Sequence, residues 1–142
     1  MKLRSFLIRF AVLFATVFSF PFVAHSLPQD STAKKPPVKK IFYGQASFYA
    51  NKFNGRKTAS GEIFDQKKMT CACNAVKLGT WLRVTNVKNN KSVIVKVNDR
   101  IHPRMRRVVD LTSGAARQIG ITAKHGLGRV KVEVLGKTKP KA

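Results

Sequence analysis

Apolar and polar residues alternate along much of the second half of the chain, the spacing expected of half-buried β-strands. Trp81–Val87 and Ser92–Asn98 both alternate in this way and are rich in β-branched residues. Between them, Asn89 and Asn90 tolerate the left-handed conformation that a tight hairpin turn needs. In Arg129–Leu135 the valines are predicted to point inward and the lysine and glutamate outward. Three further strand candidates are Ile41–Tyr49, Met69–Cys73 and Val108–Leu111.

One short helix follows the last of these candidates along the chain. Thr112 suits its N-cap and Gly120 its stop, with Ala115, Ala116 and Ile119 on the buried side. About six short strands and one small helix within a short folded unit favour a closed or nearly closed β-barrel. A β-sandwich is the alternative. The predicted fold class is therefore all-β.

The first 26 residues have the layout of a secretory signal peptide, with a basic start, an apolar run and small residues at the cleavage site. The run is short for a bilayer span of about 20 residues, and an uncleaved anchor is the alternative. No cysteine lies near the cut, so a lipid anchor is not indicated, and we expect export to the periplasm or cell envelope. The three features are, in order, Lys2, Arg4 and Arg9, then Phe10–Val23, then Ala24-His25-Ser26.

The rest of the chain divides into a linker, one domain and a tail. Residues 27–40 (LPQDSTAKKPPVKK) carry prolines and lysines and read as an extended basic linker. Residues 41–136 form the predicted domain, and residues 137–142 (KTKPKA) form a second basic segment. The length supports a single domain of ordinary size.

The charge of the chain is strongly positive, with 28 Lys and Arg against 6 Asp and Glu and a formal net charge of +22. Such a balance suits nucleic acid, an anionic membrane or an acidic polymer. Because export is predicted, we expect no nucleic-acid partner and instead expect attraction to anionic envelope polymers. An antimicrobial or nucleic-acid-binding basic protein is the third class that charge alone would allow.

The candidate chemistry lies in the polar stretch Asn54–Asp65 and at Asn98-Asp99-Arg100, where a valine-rich strand ends. These segments belong to a series of motifs that resembles the rare lipoprotein A (RlpA) family from Tyr43 to Leu135. The motifs are Gly44-Gln45-Ala46-Ser47-Phe48-Tyr49, Thr58-Ala59-Ser60-Gly61-Glu62 with Phe64-Asp65, Leu78-Gly79-Thr80, Val84-Thr85-Asn86, Val97-Asn98-Asp99-Arg100 and Asp110-Leu111.

The resemblance implies a six-stranded double-psi β-barrel that binds peptidoglycan glycan strands. It also implies endolytic lytic transglycosylase activity, preferably on strands that lack stem peptides, leaving 1,6-anhydro-muramyl ends. One carboxyl group can protonate the glycosidic oxygen and then take the proton of the C6 hydroxyl that closes the anhydro ring. No water need be activated, unlike in a two-carboxylate glycosidase. Asp99 is the first candidate for this role, and Glu62 is expected to support it by orienting substrate or raising its pKa.

Substrate-binding candidates surround these two acids. The aromatic rings of Tyr49 and Phe53 flank the polar loop and could stack on sugars, whereas Phe48 and Trp81 are expected to pack in the core or rim. The complete set of binding candidates is Tyr49, Phe53, Thr58, Ser60, Asp65, Cys73, Asn98, Arg100 and His102.

Cys73 departs from the family pattern, because active relatives have a histidine there. A thiol cannot supply an imidazolium. Asp99 therefore works without that partner, or His102 replaces it, or the chain is a non-catalytic, expansin-like glycan-binding protein.

Cys71 and Cys73 are also the two cysteines of the chain. In a regular strand they share a face at about 6–7 Å between Cβ atoms, too far for a disulfide. A strained Cys-x-Cys loop is the alternative. Four ligands for a metal are not visible, so we expect no metal, no cofactor and a monomer.

Overall fold

The structure is a computed structural model that describes residues 37–141. The predicted signal peptide and most of the predicted linker lie outside the described residues. The elements are β1 (Lys40–Phe48), a short 3-10 turn (Asn51–Phe53), β2 (Thr70–Ala72), β3 (Trp81–Asn86), β4 (Ser92–Asp99), β5 (Val109–Leu111), α1 (Ser113–Gln118) and β6 (Gly128–Gly136).

The six strands close into a barrel in the order β1-β5-β2-β4-β3-β6. The β1–β5 and β2–β4 pairs are parallel, and the other four pairs are antiparallel. The predicted β-barrel is therefore confirmed, and each predicted strand matches an observed one to within one or two residues at either end.

The turn and helix signals also match the structure. Asn90 adopts a positive φ of 57° in the turn between β3 and β4. The Thr112 hydroxyl accepts a hydrogen bond from the Ala115 N–H at 3.4 Å, as an N-cap should. Gly120 follows the helix with φ of 75°, a left-handed conformation that ends helices without a Cβ penalty.

Valines from β3, β4 and β6 form one hydrophobic core together with the buried side of α1. The predicted outward direction of Glu133 needs a refinement, because only 8% of this residue is exposed. Arg83 and Lys131 cover its carboxylate at 3.9 and 3.5 Å. An acid on the outer face is thus buried by long neighbouring side chains rather than by the core.

Gly44 lets two parallel strands approach closely. A Cβ at this position would lie 2.9 Å from Cγ2 and 3.1 Å from Cβ of Val108. The Val108 N–H donates to the Gln45 carbonyl at 2.9 Å, just before β5 pairs with β1. This register sets Ser47 opposite Asp110. The glycine therefore permits the pairing that brings β5 to the groove described below.

Candidate active site

A groove of about 540 Å³ lies where β1, the turn after it and the segment after β4 meet. It combines aromatic, acidic and basic side chains, a composition that suits a carbohydrate carrying polar substituents. The lining residues are Ser47, Phe48, Tyr49, Ala50, Lys52, Phe53, Asp99, Arg100, Ile101, His102, Met105, Arg107 and Asp110.

The Asp99 carboxyl group, at the end of β4, accepts three hydrogen bonds. Its Oδ1 accepts from the backbone N–H groups of Ala59 at 2.9 Å and Arg100 at 2.8 Å. Its Oδ2 accepts from the Tyr49 hydroxyl at 2.8 Å. Three donors therefore hold a half-buried carboxyl group at the groove wall.

Tyr49 is fixed from both its ring and its backbone. The ring lies 4.4 Å from that of Phe64 and 5.9 Å from that of Phe53, measured between centroids. The Tyr49 N–H donates to the Leu111 carbonyl at 3.0 Å, and Gln66 donates to the Tyr49 carbonyl at 2.8 Å. Burial, reinforced by the Asp99 carboxylate, raises the pKa of Tyr49 well above its ordinary value, so the hydroxyl keeps its proton. The structure thus makes Tyr49 a packed hydrogen-bond donor rather than an open stacking platform.

Glu62 lies in a hairpin-like excursion, residues 54–65, in which Lys57 and Ile63 form an isolated antiparallel bridge. Its carboxylate is engaged outside the groove. Lys96 donates to its Oε1 at 2.8 Å and Asn98 to its Oε2 at 3.0 Å. The Lys96 hydrogen bond, followed by that of Asn98, lowers the pKa of Glu62. Glu62 is not among the groove-lining residues, so its evident contribution is to tie the excursion to β4.

Thr58, Ser60 and Asp65 shape the same excursion. The Thr58 and Ser60 hydroxyls lie 3.0 Å apart, and the Ser60 N–H donates to the Asn98 carbonyl at 3.0 Å. Asp65 accepts from the Lys67 N–H at 2.8 Å, a turn-stabilising contact. None of these three residues lines the groove, although together they set the Ala59 N–H against Asp99.

Cys73 is fully buried and does not line the groove. Burial raises the pKa of its thiol, while the N–H groups of Ala75 and Val76 act in the opposite direction. The substrate-binding role of Cys73 stays a prediction, with its side chain outside the residues that line the groove. Its main chain is close to the site, because the Cys73 N–H donates to the Asp99 carbonyl at 3.2 Å.

Both cysteines are free thiols, so the disfavoured disulfide is absent from the structure. The ladder between β2 and β4 shifts register between Cys71 and Ala72. This irregularity breaks the strict alternation that had been assumed for the segment. Within residues 37–141, no group of three or more His, Cys, Asp or Glu side chains could hold a metal ion, and no helix is long and apolar enough to cross a membrane.

Of the remaining predicted residues, Phe53, Arg100 and His102 line the groove, whereas Asn98 does not. The Arg100 guanidinium donates to the Cys73 carbonyl and, at 2.9 Å, to the Val76 carbonyl, which fastens the segment after β2. His102 is exposed, and its Nδ1 accepts from the Arg104 N–H at 3.3 Å. The Phe53 ring carries two cations, Lys52 and Arg56, each 5.5 Å from its centroid.

Asp110 and Arg107 are groove residues that the sequence-based site did not include. Asp110 is buried in β5, and Arg107 binds both of its oxygens at 2.7 and 2.9 Å. A signal was present, because Asp110 interrupts an otherwise apolar strand within one of the family motifs. The pair places a second, neutralised carboxylate in the groove beside Asp99.

The barrel and its groove define a double-psi β-barrel protein, and comparison with known proteins gives the family. The family model described as "Lytic transglycolase" matches residues 41–134. The chain belongs to this family and is an RlpA-like protein.

Relatives named endolytic peptidoglycan transglycosylase RlpA are similar to the barrel. The protein of Pasteurella multocida (strain Pm70) is 46% identical over 92 residues, which cover 65% of this chain and 31% of the relative. That of Pseudomonas aeruginosa (strain UCBPP-PA14) is 49% identical over 90 residues, covering 63% and 26%. The chain thus spans about a third or less of these two relatives.

Solved structures share the fold at low sequence identity. A mutant expansin of Clavibacter michiganensis in complex with cellohexaose superposes with a TM-score of 0.56 at 20% identity, covering 72% of this chain and 54% of the expansin. A Streptomyces papain inhibitor gives 0.55 at 18% identity, covering 70% and 97%.

Proposed function

We propose that this chain is an endolytic peptidoglycan lytic transglycosylase that uses Asp99 as its acid and base. The observation that carries the proposal is the Asp99 carboxyl group, held by three donors at the wall of a groove, in a chain of the lytic transglycolase family. The substrate would be a glycan strand, preferably without stem peptides, and the products would end in 1,6-anhydro-muramic acid.

The groove supports a polysaccharide ligand by its size and lining. Its volume of about 540 Å³ has room for sugar units, and Phe53 offers an aromatic face beside Lys52 and Arg56. Aromatic rings pack against the apolar faces of sugars, while nearby cations attract anionic substituents. Asn98, Thr58 and Ser60 would act indirectly, by shaping the excursion that reaches Asp99.

The chemistry needs one carboxyl group in two successive roles. Asp99 would give a proton to the glycosidic oxygen and then take the proton of the C6 hydroxyl as the ring closes. Glu62, bound to Lys96 and Asn98, would keep the excursion in place rather than exchange protons. His102 lines the groove and is the nearest imidazole candidate for substrate contact.

A non-catalytic, glycan-binding function is the second candidate, and Cys73 favours it. The family resemblance places a histidine at this position in active relatives, whereas this chain has a buried thiol. If that imidazole is essential, the groove would bind glycan and leave it intact.

The protein would act in the cell envelope, where it would be a monomer attracted to anionic wall polymers. The positive charge of the chain supports this proposal. Export through the predicted signal peptide, without a lipid anchor, is part of the same proposal.

The test is digestion of purified peptidoglycan sacculi, intact and stripped of stem peptides by an amidase, with product masses read by mass spectrometry. Wild type, Asp99→Asn and Cys73→His are compared, and thermal unfolding of each variant verifies that it is folded. Because Cys73 is buried, Cys73→Ala serves as the variant that removes the thiol without adding bulk.

Anhydro products from wild type and Cys73→Ala, with none from Asp99→Asn, would support the enzyme. Cleavage by Cys73→His alone would support a binding protein that lost its catalytic pair. Sacculus binding without products from any folded variant would also favour the second candidate. Preferential binding of DNA over sacculi that persists at high salt would overturn both. Non-specific, phosphate-driven binding weakens steeply with salt, so such persistence would indicate specific recognition of DNA.

A further inference from the structure

The two oxygens of the Asp99 carboxyl group are not equivalent in the structure. An ionised carboxylate offers about four lone-pair sites, two on each oxygen. Oδ1 accepts two backbone N–H groups, from Ala59 and Arg100, and both of its sites are therefore occupied. Among the partners offered by residues 37–141, Oδ2 accepts only from the Tyr49 hydroxyl, which leaves it one site.

The remaining site on Oδ2 is the one that can exchange a proton with a ligand in the groove. Asp99 lines the groove, so a sugar oxygen can approach it there. The rotation of the carboxyl group about the Cβ–Cγ bond decides where this site points. Ala59 and Arg100 fix one oxygen, and Tyr49 fixes the other.

Tyr49 is built to hold that position. Its ring packs between Phe64 and Phe53, and hydrogen bonds to Leu111 and from Gln66 hold its main chain on both sides. Its hydroxyl retains its proton, as described above, and so donates throughout the physiological pH range. Cys73 cannot take this place, because its thiol is buried beside the N–H groups of its own loop.

We propose that Tyr49 is a positioning residue for Asp99, whose hydroxyl orients the carboxyl group so that the free site on Oδ2 faces the scissile bond. This inference rests on the proposed transglycosylase function. It replaces the stacking role predicted for Tyr49 with a hydrogen bond to the carboxyl group of Asp99. Asp99 thereby has a side-chain partner that is not an imidazole.

The test is Tyr49→Phe, which removes the hydroxyl and keeps the ring. The chain has 2 tyrosines, so Tyr43→Phe is a matched control: Tyr43 is 58% exposed and pairs with Lys131 across β1 and β6, away from the groove. Both variants are assayed on amidase-stripped strands for kcat, KM and the pH dependence of kcat. Thermal unfolding is measured alongside.

Tyr49→Phe is expected to lower kcat by roughly 10-fold or more, the effect of losing a hydrogen bond to a charged group. KM should change by less than about 2-fold, because in the proposed role the hydroxyl is engaged by Asp99 rather than by substrate. Loss of a donor that favours the ionised carboxyl should also move the alkaline limb of the kcat profile to higher pH. Tyr43→Phe should match wild type in all three measurements.

A second variant retains the hydroxyl and changes its strength as a donor. Incorporation of 3-fluorotyrosine into the Tyr43→Phe protein labels position 49 alone, because no other tyrosine remains. The more acidic phenol is a stronger donor, so the alkaline limb should move to lower pH, opposite to Tyr49→Phe. This variant keeps the packing intact and remains informative even if Tyr49→Phe unfolds.

Equal kcat and equal pH profiles for Tyr49→Phe and Tyr43→Phe, with wild type active, would overturn the positioning role alone. A loss of kcat in Tyr49→Phe that comes with a lowered unfolding temperature and no movement of the pH profile would overturn it too, in favour of a purely structural role for the hydroxyl. Absence of product from wild type would instead defeat the proposed function, and the positioning role would fall with it.

Discussion

Gly44 permits the close approach of β1 to the segment before β5, and its replacement by alanine tests that packing. The new Cβ would lie 2.9 Å from Cγ2 and 3.1 Å from Cβ of Val108, whereas carbon atoms pack best at about 3.5–4.0 Å. Cγ1 of Val108 lies closer still, so the backbone or the Val108 side chain must shift by roughly an ångström. Overpacking of this kind costs about 1–3 kcal/mol. Relief of glycine's entropy in the unfolded chain offsets about 0.5–1 kcal/mol.

The net expectation is a loss of about 1–2 kcal/mol, or roughly 5–15 °C in Tm for a domain of this size. Thermal and urea unfolding followed by circular dichroism would measure it. Val108→Ala removes both methyl groups and leaves only the 3.1 Å contact to Cβ, so Gly44→Ala should cost clearly less in that background. An equal loss in both backgrounds, or none in the wild type, would refute the steric reasoning.

Three further predictions concern charges around the groove. Arg107→Gln should cost about 1–3 kcal/mol in urea unfolding, because Asp110, with 13% of its side chain exposed, loses its bidentate partner; the loss should shrink in an Asp110→Asn background, and an unchanged loss would contradict the pairing. Glu62→Gln should cost at most about 1 kcal/mol at pH 7, since the pair with Lys96 is over a third exposed. Because the pKa of Glu62 is lowered, its contribution to the free energy of unfolding is present above the ordinary pKa range of glutamate and disappears as pH falls below it. A stability difference between Glu62→Gln and wild type that persists in acid would argue against this. Lys52→Ala should weaken sacculus binding about 2–5-fold at low salt and far less at high salt, and a salt-independent loss would point to packing instead.

The strands could be predicted from the sequence because the barrel has an inside and an outside. Val93, Val95 and Val97 alternate with three exposed or half-exposed residues, Ser92, Ile94 and Lys96, so the period of two is visible. The strand partners could not be predicted in the same way. Alternation says which face a residue takes, but it carries no information on the parallel pairing of β1 with β5 or β2 with β4.

The site was predicted in part. Asp99 follows a valine-rich strand, and such a position at a barrel rim is a common place for functional groups. Its hydrogen bond to Tyr49 joins residues 50 positions apart and has no local signature. The sequence did not predict that the Cys73 side chain lies away from the groove, because the register shift after Cys71 has no signature in the sequence pattern. Asp110 was not assigned to the groove although it interrupts an apolar strand, because the sequence does not show that β5 pairs with β1 and lies beside Asp99.

The position of β6 in the barrel has a consequence for how the chain folds. This last strand pairs with both β1 and β3, and residues 40 and 134 are joined across the whole domain. A nascent chain emerging from its N-terminus therefore has two strands with open edges until β6 has been made. Such non-local pairing is slow, on the order of milliseconds to seconds, and exposed edges invite aggregation. The barrel can close only once synthesis has passed residue 136. Until then the chain is unfolded, and a chaperone or a transport system that needs an unfolded chain can bind it throughout synthesis.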